Sequence, residues 1–428
     1  MHQQLLTAAL AAAFPVLVTA SPVATATQQT VNWETAHVSP IAFDAAGQRL
    51  FVCNTPDARL EVFDVSGAAP VRLFDVPVGL DPVSVRQHGA NEVWVVNSIS
   101  DSISIVDLAR QMVVGTVQTD DEPSDVVFAG SPERAFVTCS QANLIQVFDP
   151  AAPGAPVAEV PILGEEPRAL AVSADGSTVY AAIFESGNGS TVLGGGLDGS
   201  ATLALPNVVS NPIGPYGGVN PPPNSGANFV PARRLGNPTE PAVGLIVKKD
   251  SAGNWMDDNG GDWTNLVSGP QAAQSGRPVG WDVSDHDVAV LDTATLGVTY
   301  ADRLMNINMA LAVHPISGSL TVVGTDAINE VRFEPNLNGV FLKVVMGIVD
   351  ESTLSGAVVD TNPHLTYQTS TVPQATRDLS LGDPRGIAWT ADGARGYVTG
   401  MGSNNVAIFN SAGARIGTPI EVGEGPTG

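Results

Sequence analysis

One internal repeat constrains this chain more than anything else in it. Segments of about 42 residues, each opening at a proline, recur as SPIAFDAAGQRLFVCNTPDARLEVFDV from Ser39, DPVSVRQHGANEVWVVNSISDSISIVDL from Asp81, EPSDVVFAGSPERAFVTCSQANLIQVFDP from Glu122 and EPRALAVSADGSTVYAAIFES from Glu166. A late copy, DPRGIAWTADGARGYVTGMGSNNVAIFNS, starts at Asp383, and a degenerate one, NMALAVHPISGSLTVVGTDAINEVRFEP, starts at Asn308. Each copy reads as a strand, a Gly-containing turn, a second strand, a loop rich in Asn, Ser and Asp, a third strand and a fourth. A four-stranded sheet with apolar residues on both faces cannot bury itself, so neighbouring copies must stack face to face. This pattern predicts an all-β fold, a β-propeller of four-stranded blades. Six repeats are recognisable and Gly423–Gly428 opens a seventh, with Pro426 one period after Pro384. The chain is therefore expected to be a fragment, or to have its seventh blade completed from elsewhere; a closed six-bladed ring is the alternative.

Unit lengths locate two excursions. From Pro167 to Asn308 there are roughly 100 residues more than one period requires, placed at about 186–285 in blade four, and a smaller excess falls at about 350–382, between blades five and six. Chain direction alternates outward from the channel, so loops between second and third strands and loops between blades emerge on the same side. Both excursions are expected to cover that side. The first contains a Gly/Ser stretch, a Pro-rich stretch and Trp255, Trp263 and Trp281, and is expected to form a loop-rich cap held by aromatic anchors.

Charge narrows the partners. With 19 Lys plus Arg against 43 Asp plus Glu, the formal charge is −24. Phosphate backbones and anionic lipids are repelled by such a surface, which excludes nucleic acid and favours cations and basic proteins. Residues 1–26 carry an apolar run from Leu5 to Val18 followed by Ala24-Thr25-Ala26, the features of an export signal, which leaves 27–428 as the propeller. No later segment is apolar for long enough to insert in a membrane. The chain is expected to be secreted or periplasmic. Its two cysteines, Cys53 and Cys139, fall in equivalent strands of non-adjacent repeats with opposite facing, so they are expected to be buried free thiols.

In four blades the residue before the opening proline is acidic: Asp81, Glu122, Glu166 and Asp383. In a closed ring they would gather at one mouth of the channel, where a divalent cation, calcium in the first place, or a cationic partner would relieve their repulsion. Arg168 and Arg385 follow two of them and would neutralise part of the charge. Weaker candidates for metal ligation are Asp257, Asp258 and Asp262 in the cap, whose spacing departs from the helix-loop-helix calcium pattern, and His286 between two aspartates, a metal ligand or general base. Gly194–Gly199 matches G-x-G-x-x-G, but Pro206 and Pro212 stand where the following helix would be needed. No G-x-S-x-G, H-E-x-x-H, P-loop or C-x-x-C-H occurs, so no haem attachment site is present in this chain. The catalytic residues of any enzyme are unassigned by sequence.

FVCN, WVVN and YVTG, with the VFD, IVD and AIF strands after them, resemble the YVTN family of β-propeller repeats over most of residues 38–428. The cap segment VGLIVKKDSAGNWMDDNGGDWTNLVSG and the last repeat also look like parts of exported bacterial proteins in which such a propeller precedes a c-type cytochrome module. The resemblance implies the fold and says little of activity. The leading expectation is a non-catalytic binding or scaffold propeller that recognises a protein partner, a downstream module or a cation on its capped acidic face. The alternative is the propeller part of a secreted oxidoreductase, or a lactonase-like metal-dependent hydrolase.

Overall fold

The computed structural model describes residues 37–193, 213–217, 245–258, 260–275, 283–330, 340–366 and 372–428. The export segment, Trp281 and the G-x-G-x-x-G stretch lie outside the described residues.

The repeats become six antiparallel four-stranded units among the described residues; four are separate sheets, and two are joined edge to edge into one eight-stranded sheet by the pair Glu185↔Ile307. Blade 1 is β1 (Ile41–Asp44), β2 (Arg49–Asn54), β3 (Arg59–Asp64) and β4 (Val71–Pro77). Blade 2 is β5 (Pro82–His88), β6 (Glu92–Asn97), β7 (Ser102–Asp107) and β8 (Met112–Gln118), and blade 3 is β9 (Pro123–Ala129), β10 (Arg134–Cys139), β11 (Leu144–Phe148) and β12 (Ala158–Pro161). Blade 4 starts with β13 (Glu165–Val172) and β14 (Thr178–Glu185). The cap follows, with β15 (Ser190–Leu193), β16 (Leu245–Lys249), β17 (Trp255–Met256) and the short helix α1 (Thr264–Val267). Blade 4 then resumes with β18 (His286–Asp292) and β19 (Val298–Asp302). Blade 5 is β20 (Ile307–Val313), β21 (Leu320–Glu330), β22 (Val340–Val349) and β23 (Gly356–Asp360). A short helix α2 (Gln374–Arg377) precedes blade 6, which is β24 (Pro384–Trp389), β25 (Gly396–Gly400), β26 (Asn405–Phe409) and β27 (Ile420–Glu421).

Strand alternation explains the stacking. In β6, Val93 and Val95 pack with Phe51, Cys53, Leu60 and Val62 of blade 1. Trp94 and Val96 point the other way, to Val126, Ala135, Val137 and Phe148 of blade 3. Similar apolar clusters join blades 3 and 4, 4 and 5, and 5 and 6. Burying both sheet faces this way is the main source of stability. Cys53 and Cys139 are buried free thiols in two different clusters, and burial pushes the Cys139 thiol up to about 12.

Four blades begin with the same turn. Asp81, Glu122, Glu166 and Asp383 all sit in the left-handed region, with φ of 58°, 52°, 58° and 49°. The following proline disfavours a right-handed helical conformation there. In return, the carbonyls of Asp81, Glu122 and Asp383 accept the N–H of Ser98, Ser140 and Met401 just past the second strand. The N–H of Glu122 donates to Asp101 Oδ1 at 3.0 Å and that of Glu166 to Asn143 Oδ1 at 2.8 Å. Gly425 repeats this geometry, with φ 66° and its N–H on Asn404 Oδ1 at 3.0 Å, so Gly425-Pro426 is the opening turn of a seventh unit. Gly428 reaches blade 1, and a Cβ placed on it would come within 2.9 Å of Pro40 Cγ. The apolar outer face of blade 1 stays open beside it: Ile41 is 39% exposed and Phe43 61%.

One boundary differs from the sequence expectation. The excess assigned to 350–382 contains β23, the fourth strand of blade 5, paired with β22 from Val345↔Asp360 to Val349↔Gly356. The connection between blades 5 and 6 therefore starts after Asp360. Part of the excess length lies instead in the long β21–β22 hairpin.

Candidate functional site

Two regions of the propeller hold concentrated polar chemistry: the face carrying the blade-opening turns, and the channel.

On the turn face the acidic residues are close enough to act on one another. Glu122 is raised above the ordinary carboxylate range, first by burial and then by Asp121 and Glu166 beside it, with Arg168 opposing. Asp81 and Arg385 both act on His37, which burial lowers, so the turns of blades 2 and 6 approach the same residue. The two arginines pair locally: Arg168 Nη2 donates to Glu166 Oε2 at 2.5 Å with its guanidinium over Phe184 at 3.8 Å, and Arg385 Nη2 donates to Asp383 Oδ2 at 3.0 Å. Glu166 Oε1 also accepts from Gln141 Nε2 at 3.1 Å. Of the four acidic turn residues Asp81, Glu122, Glu166 and Asp383, the oxygens of Glu166 and Asp383 are thus engaged by arginine or amide donors, and among the described residues no three His, Cys, Asp or Glu side chains converge to hold a metal ion.

The cap carries more regular structure than its Gly/Pro composition predicts. β15, β16 and β17 form a three-stranded sheet, and Leu193, Leu245, Val247, Trp255, Trp263, Leu266 and Val267 make its own core. Asp257 is buried in it, accepting from Tyr216 Oη at 2.8 Å, Trp263 Nε1 at 2.8 Å and Gly261 N at 2.9 Å. Asp262 accepts from Thr264 N at 2.9 Å, and Asp258 is exposed. These three aspartates shape the cap and do not converge as ligands. His286 is also committed to structure, its ring stacked on Tyr300 at 4.0 Å and its Nδ1 2.7 Å from Asp302 Oδ1, its ladder partner.

The cap is fastened to the turn face by lysines. Lys248 Nζ donates to both oxygens of Asp326 at 2.7 and 2.8 Å, Asn188 Nδ2 adds a bond to Asp326 at 2.8 Å, and Lys249 reaches Asp285 at 3.4 Å while lying over Trp255 at 4.8 Å. Asn306, in the turn before blade 5, donates to the carbonyls of Ser186 and Gly187 at the start of the cap. The second excursion packs on the same side, with Gly402 N on Gly382 O and Asn405 Nδ2 on Ser380 O.

Sequence reasoning missed two buried carboxylates. Asp125, wholly buried on β9, accepts from Arg86 Nη2 at 2.8 Å, Ser39 Oγ at 3.0 Å and Leu170 N at 3.0 Å, tying blades 2, 3 and 4 to the segment that enters blade 1. Val38, beside Ser39, packs with Ala169 and Leu311 of blades 4 and 5, so residues 38 and 39 fill the channel on the turn side. Asp287, next to His286 and also wholly buried, accepts from Leu304 N at 2.9 Å, Met305 N at 3.3 Å and Asn308 Nδ2 at 3.3 Å. A lone Asp in an apolar strand run was the available signal in both cases.

Burial pushes the Asp287 carboxyl up to about 6, more than its hydrogen bonds bring it down. Its folded value lies above that of an unfolded aspartate, so the native state favours the neutral acid. The stability tied to it is complete below about pH 4 and is lost as pH rises through about 6, a change of about 3 kcal/mol. Measured by urea denaturation at both ends of that window, the protein is expected to lose stability relative to Asp287→Asn by this order as pH rises. A pH-independent difference would contradict the burial argument.

No protein-family model matches the chain, and no curated protein matches it. Among the described residues, no helix is long and apolar enough to cross a membrane. Of solved structures, the periplasmic gluconolactonase of Pseudomonas aeruginosa aligns over 92% of this chain and 88% of its own, at 14% identity and TM-score 0.48. Hydrazine synthase of Kuenenia stuttgartiensis aligns over 93% of this chain and 91% of its own, at 16% identity and TM-score 0.54, and what the chain shares with it is the β-propeller fold.

Proposed function

We infer that this chain is an exported, YVTN-type β-propeller that binds a lysine-rich segment of a protein partner on its capped acidic face. The observation that carries this reading is internal to the molecule. Of the chain's three lysines, two, Lys248 and Lys249, are spent fastening the cap to carboxylates of that face. The face thus already accepts adjacent lysines from a β-strand. Around the neighbouring turns Asp121 and Glu166 add to the rise that burial gives the Glu122 carboxyl, with Arg168 opposing, and clustered charge of one sign draws cationic partners by long-range steering. Export rests on the leader at residues 1–26.

A lysine decapeptide tests the reading by calorimetry over a series of salt concentrations. The peptide is expected to bind with affinity that falls steeply as salt rises. The combined variant Asp121→Asn, Glu122→Gln, Glu166→Gln is expected to bind at least about tenfold more weakly. Absence of binding, or equal affinity in the neutralised variant, would reject the assignment.

A further inference from the structure

The channel holds a second feature, separate from the capped face. A cavity of about 910 Å³ is lined by the innermost strands β5, β9, β13, β20 and β24, by residues of β25 and β26, by the segment that enters blade 1 and its first strand, and by Gly428. The innermost strands run away from the turn face and line the cavity with their latter halves, so it lies on the far side of the Val38–Ser39 plug. Its walls are mainly apolar, with Val127, Leu170, Leu311 and Ile387 among them. A pocket of this volume and lining is the size of those that enclose small organic ligands.

Two polar groups in the lining have unspent capacity. Arg86 uses Nε and Nη2 on Asp125, Ser39 and the Leu170 carbonyl, while its Nη1 makes no hydrogen bond among the described residues. Thr399 Oγ1, on β25, is buried and makes none either. A guanidinium held rigid by a wholly buried carboxylate, with one nitrogen left over, is a preorganised donor. Its charge is already matched by Asp125. A second carboxylate would leave net negative charge beside the wholly buried Asp125, in a chain whose formal charge is −24. A neutral carbonyl oxygen takes the free N–H without that cost.

We propose that the channel binds a neutral, largely apolar molecule carrying one carbonyl-type acceptor, with its head on Arg86 Nη1 and its body along the innermost strands of blades 3, 4 and 5. Methyl decanoate and decanoate are the probes, since they share a chain and differ in head-group charge. Displacement of a polarity-sensitive dye is expected to show saturable one-to-one binding of methyl decanoate and binding of decanoate at least about tenfold weaker. Arg86→Lys leaves a single nitrogen for Asp125 and is expected to weaken the ester by about tenfold. Ala312→Phe, which places a ring in the cavity from blade 5, is expected to abolish binding and keeps the test open should Arg86→Lys not fold. No saturable binding of the ester to the unaltered protein, decanoate binding as tightly, or Ala312→Phe binding unchanged would each overturn the assignment.

Discussion

Asp125→Ala is expected to lower folding stability by about 3–5 kcal/mol, the largest effect of any single substitution at the channel. Five donors converge on this carboxylate: Arg86 through Nε and Nη2, Ser39 Oγ, and the backbone N–H groups of Leu170 and Val126. Alanine removes the acceptor and leaves the Arg86 guanidinium, 30% exposed, without its counter-charge, together with an unpaired N–H in blade 4. The cost of orphaned donors exceeds the net worth of the bonds themselves. Asp125→Asn, which keeps an oxygen but not the charge, is expected to fall between the two. Urea denaturation checks the order. Equal stability of all three proteins would show that the network does not hold the blades together.

The second large effect is local. Trp263→Ala removes the more deeply buried of the two tryptophans of the cap core, for about 3–5 kcal/mol. It also deletes the Nε1–H bond to Asp257 and the edge contact with Tyr216, 6.3 Å between ring centroids. The cap core is distinct from the clusters between blades, so the cap is expected to open while the propeller melts near its original temperature. Trypsin is the readout, because Lys248 and Lys249 lie in the central strand of the cap sheet. Rapid cleavage after them, with the rest of the chain resistant, is the expected result. A matching fall in the melting temperature of the whole molecule would show that cap and propeller unfold together.

These effects also show how far the sequence could be read. Blade stacking was legible because two-residue alternation inside each copy, as at Val93, Trp94, Val95 and Val96, states directly that both sheet faces are buried. The acidic position before each proline was legible too, but its physical reason was not. A left-handed backbone at Asp81, Glu122, Glu166 and Asp383 comes from the geometry of the turn, and Arg168 and Arg385, two residues on, lie close enough to take their neighbours' carboxylates. The cap sheet was hidden because its strands are short and separated by Gly- and Pro-rich stretches. Asp125 and Arg86 were hidden for another reason: their pairing joins the innermost strands of neighbouring blades, with Ser39 and Leu170 added from two further segments, and no one repeat states those contacts.

The proposed recognition of cations by the turn face is tested most directly by locating it. A lysine decapeptide is bound to the protein, joined by a zero-length carbodiimide coupling, and the linked carboxylates are identified by mass spectrometry. Cross-links are predicted at Asp121, Glu122, Glu165 and Glu166. The far-face aspartates Asp175, Asp292, Asp350 and Asp392, each occupied by hydrogen bonds within its own turn, should remain unlinked. Cross-links distributed equally over both faces would contradict the assignment.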